Sequence, residues 1–348
     1  MLEEICKNVS NPAETQTTNQ RKLPEPRITR INFTSTNRCN LRCKMCDFVE
    51  LAKNAVELSL DEIKKMIDDA CTVGLQEFEI SGGEPMVRKD IYDIISYCMS
   101  EKKLKQVTMM TNGVLIGEDE AKKLADVGLR VAVVSLEGPE EINDSIRGKG
   151  TFQKAVKGIK NLLKYKRADG SGPYIGVGIT LSKMNYQYVP DFVEYLYEEI
   201  GVDFVTINPY SDGLVEMNKK DSSNQIFSID ENTILEIEKV IEKILGFIKN
   251  KPWGKTMQAV SYLEKIPAFF RGEKMIPVNG CYEPLKSVAM ETSGYITPCW
   301  GDLCFVESVR IMPINEIIKT KKWNEFALRA SKGDCAGCLS ACYQKIYS

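Results

Sequence analysis

Ile31-Asn-Phe-Thr-Ser-Thr36, closely followed by Cys39-Asn-Leu-Arg-Cys43-Lys-Met-Cys46, is the stretch on which the reading of this chain turns. The first segment is strand-like, alternating apolar and polar residues and rich in β-branched ones. The second places three thiols on one short loop. Thiolates this close can wrap a single metal centre, yet iron–sulfur clusters and structural zinc sites usually take four protein ligands. A three-cysteine loop therefore suggests a cluster with one iron left open. Half of a zinc site is the competing reading.

Working outward, similar β-branched runs recur at Glu77–Ile80, Gln106–Met110, Arg130–Ser135, Tyr174–Thr180 and Phe204–Asn208. Helical patterns lie between them. Ser59-Leu-Asp-Glu62 reads as a capping box, followed by Ile63, Met66, Ile67 and Ala70 at helical spacing. Ile91, Ile94, Ile95 and Cys98 form a second apolar stripe, Phe152, Ala155, Val156, Ile159 and Leu163 another, and Phe192, Val193, Leu196 and Ile200 the last. Strands each followed by a helix predict parallel pairing through right-handed crossovers. In such sheets the chemistry gathers at the C-terminal strand ends. The expected fold is α/β, a partial (β/α)6 TIM-like barrel over 28–215, after a flexible leader at 1–27. From Ser228-Ile-Asp-Glu231, read as a second capping box opening a helix to about Lys249, the pattern changes. Residues 216–348 then read as a linker helix and a small cysteine-rich domain holding six of the twelve cysteines.

The formal charge of -2 gives no global basic field, so no nucleic-acid partner is expected. No apolar run approaches the roughly 18 residues of a membrane span. The polar N-terminal stretch has no apolar core of a signal peptide, which points to the cytoplasm and to cysteines used as metal ligands or core residues. Histidine is absent altogether. That removes the commonest general base and imidazole ligand, counting against a hydrolytic triad or a catalytic zinc.

The CxxxCxxC spacing of Cys39, Cys43 and Cys46 resembles the signature of the radical S-adenosylmethionine (SAM) enzymes. The resemblance implies a [4Fe–4S] cluster on these three residues, with SAM on the open iron. Met45 stands where the family carries a bulky residue near the adenine. Gly82-Gly83-Glu84-Pro85, after the second strand, resembles the motif that receives the SAM amino group. Thr111-Asn112-Gly113 resembles a turn beside the cofactor. Ser135 and Glu137, in Ser135-Leu-Glu-Gly138, are candidates for the methionine end or the ribose. Arg147 resembles the arginine that grips the SAM carboxylate, a role suited to a guanidinium fork. Gly176 and Gly178 either let adenine lie on the backbone or serve packing. Farther on, Cys281, Gly294, Cys299, Cys335-Ala-Gly-Cys338 and Cys342 resemble the SPASM and twitch extensions. That implies one auxiliary [4Fe–4S] cluster on Cys281, Cys299, Cys335 and Cys338, a zinc ribbon being the alternative. Cys71 and Cys98 read as core thiols. Cys304 and Cys342 are a surplus: ligands, or thiols that return a hydrogen atom to a substrate radical.

The family's chemistry is reductive SAM cleavage to a 5′-deoxyadenosyl radical, which abstracts hydrogen from a substrate C–H. The resemblance therefore implies an oxygen-sensitive oxidoreductase fed by an electron donor such as flavodoxin or ferredoxin. The leading expectation is dehydrogenation or crosslinking of a peptide or protein. The runner-up is a small-molecule carbinol dehydrogenase or epimerase in natural-product biosynthesis, such as that of an aminocyclitol. A non-catalytic electron-transfer protein is the remote third.

Overall fold

A computed structural model describes residues 23–46, 56–166, 172–211, 229–277, 279–299 and 306–335, with positions 337 and 339. Six parallel strands carry the architecture: β1 (Arg30–Thr34), β2 (Glu77–Ser81), β3 (Gln106–Thr111), β4 (Val131–Ser135), β5 (Tyr174–Leu181) and β6 (Phe204–Pro209). They pair in chain order, β1 with β2 through to β5 with β6. Four strands run one residue past the stretch expected from sequence, because pairs such as Thr34 with Ser81 and Leu181 with Pro209 extend the ladders. The sheet is open, as a partial barrel requires.

The connections are helical: α1 (Leu60–Cys71), α2 (Ile91–Ser96), α3 (Glu118–Asp126), α4 (Glu140–Arg147), α5 (Thr151–Leu163) and α6 (Val189–Tyr195). Helix α1 begins where its sequence says it should: the Ser59 side chain accepts from the Glu62 N–H, and Glu62 accepts from the Ser59 N–H at 2.8 Å. It buries Ile63, Met66, Ile67 and Ala70, and each large apolar side chain removed from water stabilises by about 1.5–3 kcal/mol. One face of the sheet sends Ile31, Phe33, Phe78, Ile80, Val107, Met109, Ile175, Val177 and Ile179 into the same core. Cys98 is buried with them, and Cys71 packs against its margin.

Helix α7 (Glu231–Asn250) follows, but its cap is Asp230, not Ser228, which lies outside the described residues. The Asp230 carboxylate accepts from the Thr233 N–H at 2.8 Å, the position three residues on that an N-cap oxygen reaches. After α8 (Val260–Leu263) and α9 (Ile266–Phe270) come β7 (Ser287–Met290), β8 (Tyr295–Thr297) and β9 (Glu307–Ser308). These continue the barrel sheet, in the order β6-β5-β4-β3-β2-β1-β7-β8-β9. Strand β7 lies parallel to β1 on the side away from β2, while β8 and β9 are antiparallel additions. Helices α10 (Ile314–Ile317) and α11 (Lys321–Ser331) close the described chain. The ion pairs Arg30–Glu283, at 2.5 Å, and Arg310–Glu62, at 2.7 Å, tie this region to the barrel, and within it fully buried Trp323 donates to the Pro284 carbonyl at 3.1 Å.

Among the described residues no helix is long and apolar enough to cross a membrane.

Candidate functional site

The loops at the C-terminal ends of β1 to β4 converge. Gly82 and Gly83 allow this. A Cβ on Gly82, whose φ is +137°, would meet the Thr36 carbonyl oxygen at 2.3 Å; one on Gly83 would meet that of Arg38 at 2.3 Å. Two hydrogen bonds use the closeness: Gly83 N–H to Thr36 O at 2.7 Å and Glu84 N–H to Arg38 O at 2.9 Å. The segment leading into Cys39 is thus clamped to the end of β2. It is this chain's own backbone that the glycines admit.

Glu84, the carboxylate of this motif, is buried at the end of β2. It has no exposed surface, and it accepts from the Thr111 hydroxyl (2.7 Å), the Asn112 N–H (2.7 Å) and the Met86 N–H (3.1 Å). Burial pushes its carboxyl above the usual range, against the pull of these donors. Its task here is to join the ends of β2 and β3. Pro85 starts the short turn Pro85–Val87 that follows. Asn112 carries the connection onward, donating to Asn40 Oδ1 at 2.8 Å and towards Cys39 Sγ at 3.8 Å. The Leu41 N–H donates to the same sulfur at 3.4 Å.

Lys44, in the middle of the cysteine loop, bonds through its N–H to the Ile146 carbonyl at 2.9 Å, fixing the loop to α4. Met45 packs with Ile142, Ile146, Met184 and Tyr210 in a small apolar cluster. Cys39 and Cys43 are half-buried and Cys46 is exposed. Burial raises the Cys39 thiol, opposed by the Leu41 and Asn112 donors. Burial likewise pushes Cys43 up to about 11, with Arg147 working the other way.

Arg147 reaches this loop from the end of α4. It forms an ion pair with Glu137, whose carboxylate is fully buried. The other Glu137 oxygen accepts from the Thr180 N–H at 2.8 Å. Glu137, like Glu84, is therefore engaged by protein donors, and its ion pair positions Arg147. Ser135 is partly buried at the end of β4, opposite Gly178 in register. The two β5 glycines differ. A Cβ on Gly176 would run into the Phe204 ring at 2.2 Å, so Gly176 serves packing; one on Gly178 would meet only Val133 at 3.3 Å and Thr206 at 3.7 Å.

In the later region, Cys281 bonds through its N–H to the Ala330 carbonyl at the end of α11, and Cys335 follows that helix a few residues on. Cys299 follows β8, its N–H directed at the Thr297 hydroxyl. Cys304, Cys338 and Cys342 lie outside the described residues. Among the described residues, no three cysteine or carboxylate side chains are gathered into a metal-holding group, here or at the Cys39 loop.

Sequence reasoning missed three supporting side chains. Arg88 is buried and binds the carbonyls of Ser35 (2.7 Å) and Leu58 (3.1 Å) while gripping Asp90 through two bonds. Asn185 is buried between the carbonyls of Glu137 (2.8 Å) and Thr180 (2.9 Å). Asp144 accepts from the Gly150 and Phe152 N–H groups and so caps α5. Of these only Asp144 left a signal, standing beside a Gly-Lys-Gly turn before a helical stripe. An open cleft of about 420 Å³ lies beside the cysteine loop, between Asn40–Arg42, Val114, Leu115 and the segment Arg147–Lys154.

Residues 33–196 match the family described as the Radical SAM superfamily. The chain is 39% identical over 173 residues to Fe-coproporphyrin III synthase of Methanosarcina barkeri, which covers 49% of this chain and 41% of that protein. The chain spans between 40% and 64% of the length of such curated relatives. Two solved structures share the fold. One is histidine-tagged anSMEcpe with bound AdoMet, with a TM-score of 0.67 and 20% identity over 88% of this chain and 81% of that one. The other is Streptococcus suis SuiB bound to the precursor peptide SuiA, with a TM-score of 0.66 and 14% identity over 94% and 77%.

Proposed function

We propose that this chain, an enzyme carrying a radical SAM domain, oxidatively modifies a peptide or protein through a SAM-binding [4Fe–4S] cluster on Cys39, Cys43 and Cys46. One observation carries the reading. Within the matched domain, three thiols share one loop at the mouth of a parallel sheet, with two N–H donors on the first sulfur. The donor set suits the group: thiolates ligate such clusters, and hydrogen bonds to their sulfurs tune them. Bound there, the cluster and SAM would supply reductive cleavage and hydrogen-atom abstraction.

The chain's own residues supply the rest. Asn112 and Leu41 favour Cys39 as thiolate. The Gly82-Gly83 clamp and the Lys44–Ile146 bond fix where the loop stands. Arg147, set by Glu137, presents a cation at the rim that suits a carboxylate. Met45, Ser135 and Gly178 would border a bound nucleoside. Glu84, with Thr111 and Asn112, holds the wall behind it. We assign an auxiliary [4Fe–4S] cluster to Cys281, Cys299, Cys335 and Cys338, and a hydrogen-donor role to Cys304 or Cys342 if the outcome is epimerisation. A flavodoxin- or ferredoxin-type donor feeds the electron.

The peptide reading is supported by the likeness to SuiB, whose structure holds a precursor peptide. A small-molecule substrate is the second reading, favoured by the relative named for Fe-coproporphyrin III synthesis. Anaerobic turnover with SAM tests the core claim: Cys39→Ala should make no 5′-deoxyadenosine, and normal production would refute the assignment. Iron in the Cys39/Cys43/Cys46→Ala triple variant tests the auxiliary centre. About four irons are expected; none would remove it. Ala variants of Cys304 and Cys342 that leave the product unchanged would remove the thiol route.

A further inference from the structure

We infer that the cleft beside the cysteine loop is the docking surface for a small acidic one-electron carrier, with the exposed lysines of α5 and its leading turn as its recognition face. The inference rests on the cluster reading above and adds where the electron enters.

Unneutralised positive charge is concentrated at this place. Arg42, Lys149 and Lys154 line the cleft, all exposed and none in an ion pair among the described residues. Arg42 donates from Nη1 alone to the Cys39 and Leu41 carbonyls, at 3.1 and 2.9 Å, so its charge sits directly on the cysteine loop. Helix α5 extends the basic face with Lys157 and Lys160, exposed at successive three-residue steps, and contains no acidic residue. Lys44, also exposed, projects from the loop itself. The whole chain has a net charge of -2, so this clustering is local, not a general basicity.

Two details favour a protein partner over a bound small anion. The Gly150 and Phe152 N–H groups at the start of α5 are already capped by Asp144, and Arg147, paired with Glu137, is the cation assigned above to the SAM carboxylate. What remains are long-stemmed cations around an open rim, which suit a wet and transient encounter steered by charge. Between them lie Val114 and Leu115, the latter 38% exposed, an apolar spot of the kind that anchors an interface. Asn40–Arg42 form one wall of the cleft, so a carrier seated there lies against the segment joining Cys39 to Cys43. One electron passes: the carrier is oxidised by one, the cluster is reduced by one, and no bond forms or breaks.

The test is binding of an acidic flavodoxin to the full chain, followed by fluorescence anisotropy at low and high salt, with and without reconstituted iron. Lys149→Glu/Lys154→Glu/Lys157→Glu should weaken binding about tenfold at low salt and flatten its salt dependence. A charge-matched control, Lys255→Glu/Lys274→Glu/Lys332→Glu, should leave it within about twofold. With iron present, the rate of cluster bleaching by reduced flavodoxin should fall in parallel, while bleaching by reduced methyl viologen should not. Equal weakening by both triple variants, or by neither, overturns the proposal. So does lysine-dependent binding of a single-stranded RNA with none of flavodoxin. Because binding is read without iron, failure of the cluster assignment shows separately, as a chain that takes up no iron.

Discussion

Gly83→Ala is the substitution that most directly challenges the clamp on the cysteine loop. The added Cβ would stand 2.3 Å from the Arg38 carbonyl oxygen and 2.8 Å from both the Arg38 carbonyl carbon and the Asn37 oxygen. All three are backbone atoms, so no rotamer change relieves the clash. Reaching ordinary contact takes a shift of about 1 Å, which strains or breaks the Gly83–Thr36 and Glu84–Arg38 bonds. Two hydrogen bonds at about 1 kcal/mol each and overpacking at about 1–3 kcal/mol give a loss near 3–5 kcal/mol. That is a large part of the roughly 5–15 kcal/mol that holds a folded domain together. Urea unfolding of the iron-free protein measures it. Gly246→Ala is the control: it lies inside α7 with nothing within 4 Å of its Cβ position, and should gain about 0.5–1 kcal/mol from helix propensity. A Gly83→Ala protein within about 1 kcal/mol of wild type, or one that takes up iron as fast as wild type, would refute the clamp.

Three further outcomes are expected. Arg88→Met strands Asp90 and two carbonyls and should lower stability by about 3–5 kcal/mol in the same assay; Arg88→Lys should rescue little, since an ammonium lacks the fork. Glu62 is held down to about 2 chiefly by the Arg310 hydrogen bond and the Ser59 N–H. Its contribution is therefore full above the unfolded value near 4.3 and disappears as pH falls through about 2. With the side chain 39% exposed, screening leaves about 1 kcal/mol, so Glu62→Gln should cost that much at pH 7 and nothing near pH 2. Asn112→Ala removes the donors to Asn40 and Cys39, so anaerobic reconstitution should give slower iron uptake with global unfolding changed by less than about 2 kcal/mol.

The barrel was legible because its signals are local. Period-two runs and helical stripes each span about a dozen residues, and the Ser59–Glu62 box announces α1 without tertiary help. The convergence of the cysteine loop, Gly82-Gly83 and Asn112 was legible in position, since each follows a strand. What each side chain does there was not. The protein partners of Glu84 and Glu137, namely Asn112, Thr180 and Arg147, are set by sheet register and α4 and leave no local trace. Arg88 gives no sign in sequence that its partners lie at Ser35 and Leu58. Strand β7 was missed because four apolar-leaning residues, Ser287-Val-Ala-Met290, are too few to display a period.

The seat of β7 on β1 has a consequence for how this chain comes into being. Strand β1 is an interior strand only once residues 287–290 have been made, because β7 supplies its second ladder, with Arg30 opposite Ser287 and Phe33 opposite Met290. Until then a nascent or truncated chain presents β1 as an edge, with Ile31 and Phe33 in it. Exposed apolar edges recruit other strands, and contacts this distant in sequence form slowly. Shortened versions ending before β7 should therefore self-associate more than the full chain, and the loop that bears the cysteines should be among the last parts to reach its final stiffness.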